Sequence, residues 1–157
     1  MKLFPVLMAL LFALPSFATD PETDPEPPAF LVSYTLVKSH TKKTINALWK
    51  KNKVPKIALP VKLGVDIYEI IYKVKWIDGT WRNASGIYYV PKTEKPVPYM
   101  MYGHGTQIHK GRKIHDGDSQ QFICLAHATD GYATMIPDSY GLGQGEGKHL
   151  YQNAGSA

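Results

Sequence analysis

The sequence holds one cysteine, Cys124, in 157 residues. An internal disulfide is therefore excluded. No cysteine lies near residue 18, which also excludes a lipid-anchored start. After the N-terminal segment, no stretch approaches the roughly 18 consecutive apolar residues that a membrane-spanning helix needs. Charged residues make up only 20% and apolar residues 44%. That balance argues against a disordered or fibrous chain and suits one globular domain. No segment repeats another.

What is present divides into three parts. Residues 1–18 read as a secretory signal: Lys2, an apolar run, then Ser16-Phe17-Ala18 as a small-x-small cleavage site. The expected location is secreted or periplasmic. Residues 19–28 (TDPETDPEPP) are acidic and proline-rich and read as a linker. Residues 29–157, about 129 in number, form the domain, enough for a modest core. The net charge of +5 falls to +4 once Lys2 is removed. Much of the excess lies between Lys38 and Lys62 and reads as a solvated helix face. An anionic envelope surface is the weaker alternative, and nucleic acid is a poor partner for an exported chain. Asn83-Ala84-Ser85 is a glycosylation sequon, meaningful in a host that glycosylates exported proteins.

The periodicities predict a mixed α/β domain. Residues 30–37 are apolar and β-prone. Residues 44–53 predict a helix, with Ile45, Leu48 and Trp49 on one face and Pro55 and Pro60 ending it. Residues 66–76 alternate: Tyr68, Ile70, Tyr72, Val74 and Trp76 share one face, Glu69, Lys73 and Lys75 the other. That is the pattern of a half-buried strand. Asp78-Gly79 predicts a tight primed hairpin turn, followed by a strand over roughly 81–90. Residues 97–102 (VPYMMY) form a continuous apolar run, as in a strand covered on both faces. A helix is expected over about 120–129, capped by Asp118 or Ser119, with Phe122, Leu125 and Ala126 inward and Gly131 closing it. A further buried strand covers residues 132–137, and residues 138–147 make a glycine-dense loop. Strand, helix, strand implies a right-handed crossover in a parallel sheet.

This order carries a resemblance. A hairpin precedes a strand ending in His104-Gly105-Thr106; a helix follows, then Gly131-Tyr132, Ile136-Pro137-Asp138, Gly141-Leu142-Gly143 and His149-Leu150-Tyr151. From about Leu31 onward the chain resembles the N-terminal part of secreted α/β-hydrolases, in particular the secretory lipase and esterase branch. Ser139, Gly145 and Leu150 depart from residues frequent there, an aromatic, a serine and a proline respectively. The resemblance implies a truncated α/β-hydrolase sheet and a small-molecule ester as substrate of the full-length protein. It implies that His104, Gly105 and Thr106 shape an oxyanion hole. Asp138, Gly141 and Gly143 then belong to a structural loop. No cofactor is implied.

The family places its nucleophile on Gly-x-Ser-x-Gly, a strained strand-to-helix turn, with the acid and histidine later in the chain. That motif is absent from this sequence. The expectation is an N-terminal fragment of an exported serine hydrolase, itself inactive. The third strand of the family lies between the fourth and the fifth, so residues 97–102 are expected to carry an open edge that permits self-association. The alternative is a non-catalytic exported binding module. It would contact a glycan or envelope surface through Tyr68, Tyr72, Trp76, Trp81, Tyr88 and Tyr89.

Other chemistries fit poorly. The six histidines (40, 104, 109, 115, 127, 149) match no zinc template, so no metal is expected. Lys113-Ile114-His115-Asp116, which is not an apolar strand, precedes Gly117-Asp118-Ser119, and a helix cap is favoured over a nucleophile. The glycines at 141–147 fit neither a dinucleotide fingerprint nor a phosphate loop. Cys124 with His127 at i, i+3 could form a thiol pair, but a lone cysteine on an apolar helix face is usually packing.

Overall fold

The structure, a computed structural model, describes residues 30–55, 59–76, 78–105, 119–147 and 149. Its elements are β1 (Leu31–His40), α1 (Lys42–Lys51), β2 (Val65–Lys75), β3 (Trp81–Pro91), β4 (Tyr99–Met101), α2 (Ser119–Asp130) and β5 (Ala133–Pro137). The five strands form one sheet in the order β1-β2-β3-β5-β4. The first three are successively antiparallel, β5 runs antiparallel to β3, and β4 pairs parallel to β5. No helix among the described residues is long and apolar enough to cross a membrane.

Helix α1 begins two residues earlier than the periodicity suggests, because Thr41 caps it. The Thr41 hydroxyl accepts the Thr44 N–H at 3.2 Å, and the Thr44 hydroxyl accepts the Thr41 N–H at 2.8 Å. Two donors at the helix start are thereby satisfied. The helix stops well before Pro55: Lys53 turns left-handed at φ 56°, and the Val54 N–H reaches back to the Trp49 carbonyl. Helix α2 closes at Gly131 as expected. At φ 113°, Gly131 donates its N–H to Ala128, and Tyr132 donates to His127. Ser119 is the first helical residue, and the alternative cap Asp118 lies outside the described residues.

Both helices cover one face of the sheet. The core joins Ile45, Leu48 and Trp49 of α1 and Cys124, Leu125 and Ala128 of α2 to Val65, Ile67, Ile87, Tyr89 and Ile136. Phe122 packs against this cluster, its ring 5.2 Å from Trp49. Cys124 is thus a core residue, while His127 meets the ring of Tyr132.

Three expectations need correction. The alternation in β2 is real, but its fully buried residues, Val65 and Ile67, lie on the face opposite Tyr68 and Tyr72. The helices choose that face because their apolar stripes meet Ile87, Tyr89 and Ile136 there. The other face carries a row in register across all five strands, Leu36, Tyr68, Tyr88, Met135 and Met101. Its outer members are bare: Leu36 is 53% exposed and Met101 59%. The strand expected over 97–102 is accordingly short and not covered on both faces, though it does sit at the sheet margin as expected. The hairpin after β2 is not a two-residue primed turn. Trp76 accepts from the Gly79 N–H and donates to Thr80 O, so three residues intervene, with Gly79 left-handed at φ 78°.

Candidate functional site

The loops that follow β4 and β5 leave the carboxyl ends of two parallel strands. In open α/β sheets this is where ligands bind. The loop after β4 carries His104 and Gly105. The loop after β5 carries Asp138, Ser139, Gly141 and Gly143. Thr106 lies outside the described residues.

His104 bridges the two loops. Its Nδ1 lies 2.6 Å from the Gly105 carbonyl oxygen. Its Nε2 lies 3.3 Å from the Ser139 N–H nitrogen and 3.2 Å from the Ser139 hydroxyl. A carbonyl only accepts, so Nδ1 must be the protonated nitrogen. A backbone N–H only donates, so Nε2 must accept. The partners therefore select the neutral Nδ1–H form of the ring.

The second loop is fastened to β3 beneath. Asp138 is buried, and its Oδ2 accepts the Ser85 hydroxyl at 2.7 Å; its own N–H donates to Ser85 O at 2.8 Å. The Ser85 hydroxyl in turn accepts the Gln144 N–H at 2.8 Å. Ser85, on the neighbouring strand, thus links Asp138 to the Gln144 backbone of the same loop. Gly141 and Gly143 take φ values of 72° and 56°, which side chains rarely adopt. At Gly143 the space is closed as well, because a Cβ would run into the Asp138 carboxylate and the Ser85 hydroxyl. Leu142 between them is buried.

The loop's far end returns to β3. Glu146 accepts from Asn83, Nδ2 to Oε1 at 2.8 Å, and donates its N–H to Asn83 O at 2.9 Å. Tyr140 sets its ring edge-on to Trp76 at 4.2 Å, and the Arg82 guanidinium lies 4.9 Å from the Trp76 ring. Tyr72 is half-buried beside this loop. Burial, and then the charges of Asp138, Tyr99 and Tyr140, push its hydroxyl up to about 12.

The structure brings His104 and Gly105 together with the Asp138 loop. Ser85, Ser139 and Gln144 were not anticipated as partners. Ser139 had one signal, its departure from an aromatic. Ser85 had none, since it reads as the third residue of a sequon. No three His, Cys, Asp or Glu converge as metal ligands among the described residues.

No protein-family model and no curated protein matches the sequence. Solved structures do. The rice cell wall degrading esterase LipA from Xanthomonas oryzae, as its N228W mutant, is 22% identical, with a TM-score of 0.60 over 76% of this chain and 32% of that one. A Legionella pneumophila protein described as a candidate hydrolase is 30% identical, with a TM-score of 0.60 over 74% and 32%. A ligand-bound form of LipA gives 20% identity and a TM-score of 0.57 over 76% and 32%. The chain spans about a third of the length of the solved structures it matches. Five strands in one mixed sheet, with helices on one face and esterase and hydrolase folds as neighbours, make this an α/β-hydrolase-like fold.

Proposed function

We propose that residues 29–157 are the N-terminal portion of an exported serine hydrolase acting on esters. The observation that carries this reading is the parallel β4–α2–β5 unit, with His104-Gly105 and the Asp138 loop meeting at its carboxyl end. In the acyl-enzyme mechanism a serine attacks the ester carbonyl, a histidine takes its proton, and backbone N–H groups hold the developing oxyanion. The turn at His104-Gly105-Thr106 supplies one such donor, a contribution of about 2.7–4 kcal/mol to transition-state stabilisation. The nucleophile, acid and base lie on chain beyond residue 157, so residues 1–157 alone do not turn over. The signal at 1–18 directs export, and the linker at 19–28 precedes the domain.

The margin at β4 supports self-association, because its outer N–H and C=O groups face no strand among the described residues and its apolar side chains are bare. The binding-module alternative calls for further antiparallel strands after residue 97; a parallel pair flanking a helix favours the hydrolase. Its aromatic residues are also divided: Tyr89 is in the core under the helices, while Tyr68 and Tyr88 face the other way.

The test is the reading frame downstream of the Ala157 codon. A Gly-x-Ser-x-Gly after a buried strand, in a product that cleaves p-nitrophenyl esters and loses that activity on Ser→Ala in the motif, is expected. A downstream sequence without it in any frame overturns the proposal.

A further inference from the structure

We infer that the cleft between the end of β1 and helix α1 is a binding site for a phosphate monoester, a tetrahedral dianion. This site is independent of the hydrolase reading. From residue 29 to residue 65 the chain carries eight lysines and neither aspartate nor glutamate. Two of these lysines, Lys38 and Lys51, line a cleft of about 380 Å³ together with His40, Thr44 and Leu48. No acidic residue lines it among the described residues. Asp66, in register with Ser39 on the adjoining strand, is already paired with Lys92 at 3.0 Å.

The fold draws these groups together. Lys38 is half-buried and in register with the core residue Ile67, so it stands on the helix-bearing face of the sheet. Thr44, Leu48 and Lys51 follow one another along one side of α1. Two ammonium groups thus reach one cleft from separate elements, and an anion between them relieves their repulsion. His40, 5% exposed, is built into the same wall, with Nδ1 3.4 Å from the Thr44 hydroxyl oxygen. A dianion beside it favours the imidazolium, which adds a third positive charge. Lysine is a point charge suited to phosphate, whereas the arginine fork that matches a planar carboxylate is absent from the lining among the described residues. The space exceeds a bare phosphate, and Leu48 gives an apolar wall to the ester's organic part.

The experiment is equilibrium dialysis of radiolabelled inorganic phosphate against the full 157-residue chain at constant ionic strength, a readout that holds whether or not the chain self-associates. Saturable binding of one phosphate per chain is expected, about ten-fold weaker in the double variant Lys38→Gln, Lys51→Gln. The double variant Lys42→Gln, Lys43→Gln removes the same number of charges outside the cleft lining and should bind as the unsubstituted chain does. Urea midpoints check that both variants fold. Absence of saturable binding overturns the inference. So does equal weakening in the two double variants, which would reduce the effect to diffuse surface charge. Two further arms identify the source of the ester. Flotation of the chain with phosphatidylcholine vesicles containing phosphatidic acid, reversed by inorganic phosphate, marks a lipid headgroup. Displacement of labelled phosphate by glycerol 1-phosphate without flotation marks a soluble monoester. Neither flotation nor displacement overturns the monoester assignment.

Discussion

Ser85 donates its hydroxyl to Asp138 from mid-strand β3, and through that bond and the one from Gln144 a single buried serine ties two points of the loop at the candidate site. Ser85 is 1% exposed and Asp138 8%, so neither group can exchange its partner for bulk water. Ser85→Ala leaves a buried carboxylate oxygen and a backbone N–H short of a partner. The expected loss is about 1–3 kcal/mol, read as a lower urea midpoint. A change within experimental error would remove Ser85 from this role.

Two of the left-handed glycines separate conformational from steric cost. Gly79 and Gly143 both have positive φ, but a Cβ at Gly79 meets nothing within 4 Å. Gly79→Ala should cost only the backbone term, about 1–2 kcal/mol. Gly143→Ala should cost distinctly more, because the new methyl collides with Asp138 and Ser85. Equal urea midpoints for the two variants would contradict this packing.

Tyr72 gives a pH signature. Its hydroxyl is raised in the folded chain to about 12 from an ordinary value near 10. The unfolded chain therefore loses this proton first as pH rises. The associated stability is complete below pH about 10 and is lost progressively up to about pH 12. Tyr72→Phe should flatten that part of the alkaline stability curve, and ultraviolet titration of the unsubstituted chain should show a late-ionising tyrosine that Tyr72→Phe removes. An unshifted tyrosinate titration would count against the burial of this group.

At the β4 margin, Met101 is 59% exposed and Tyr99 54%. Met101→Lys places a charge beside the open edge and should lower self-association of the isolated chain in sedimentation velocity. A monodisperse, cooperatively melting monomer without the substitution would show that the margin needs no neighbour.

Local chemistry made much of this fold legible. The β2 alternation, the Asp78-Gly79 reversal, the Ile45-Leu48-Trp49 stripe and the Gly131 stop each rest on residues close in sequence, and each lies where its pattern indicates. What failed depends on tertiary choice. Alternation identifies two faces of β2 but not which one receives helices, and Val65 and Ile67, not the tyrosines, meet α1 and α2. The VPYMMY run reads as doubly covered, yet β4 is short and leaves Tyr99 and Met101 exposed. His104 and Ser139 are 35 positions apart and Ser85 and Asp138 are 53 apart, so neither bond has a sequence period to betray it. The glycines at 141 and 143 were readable as a loop, but the close approach at Gly143 comes from a partner on another strand.

The most direct test compares ester hydrolysis by two purified products, residues 1–157 and the chain continued along its reading frame. The account predicts no p-nitrophenyl butyrate cleavage above the uncatalysed rate for the first. For the second it predicts clear turnover, abolished by Ser→Ala at a downstream Gly-x-Ser-x-Gly. Turnover by residues 1–157 alone would contradict it, because the nucleophile would then lie within this chain.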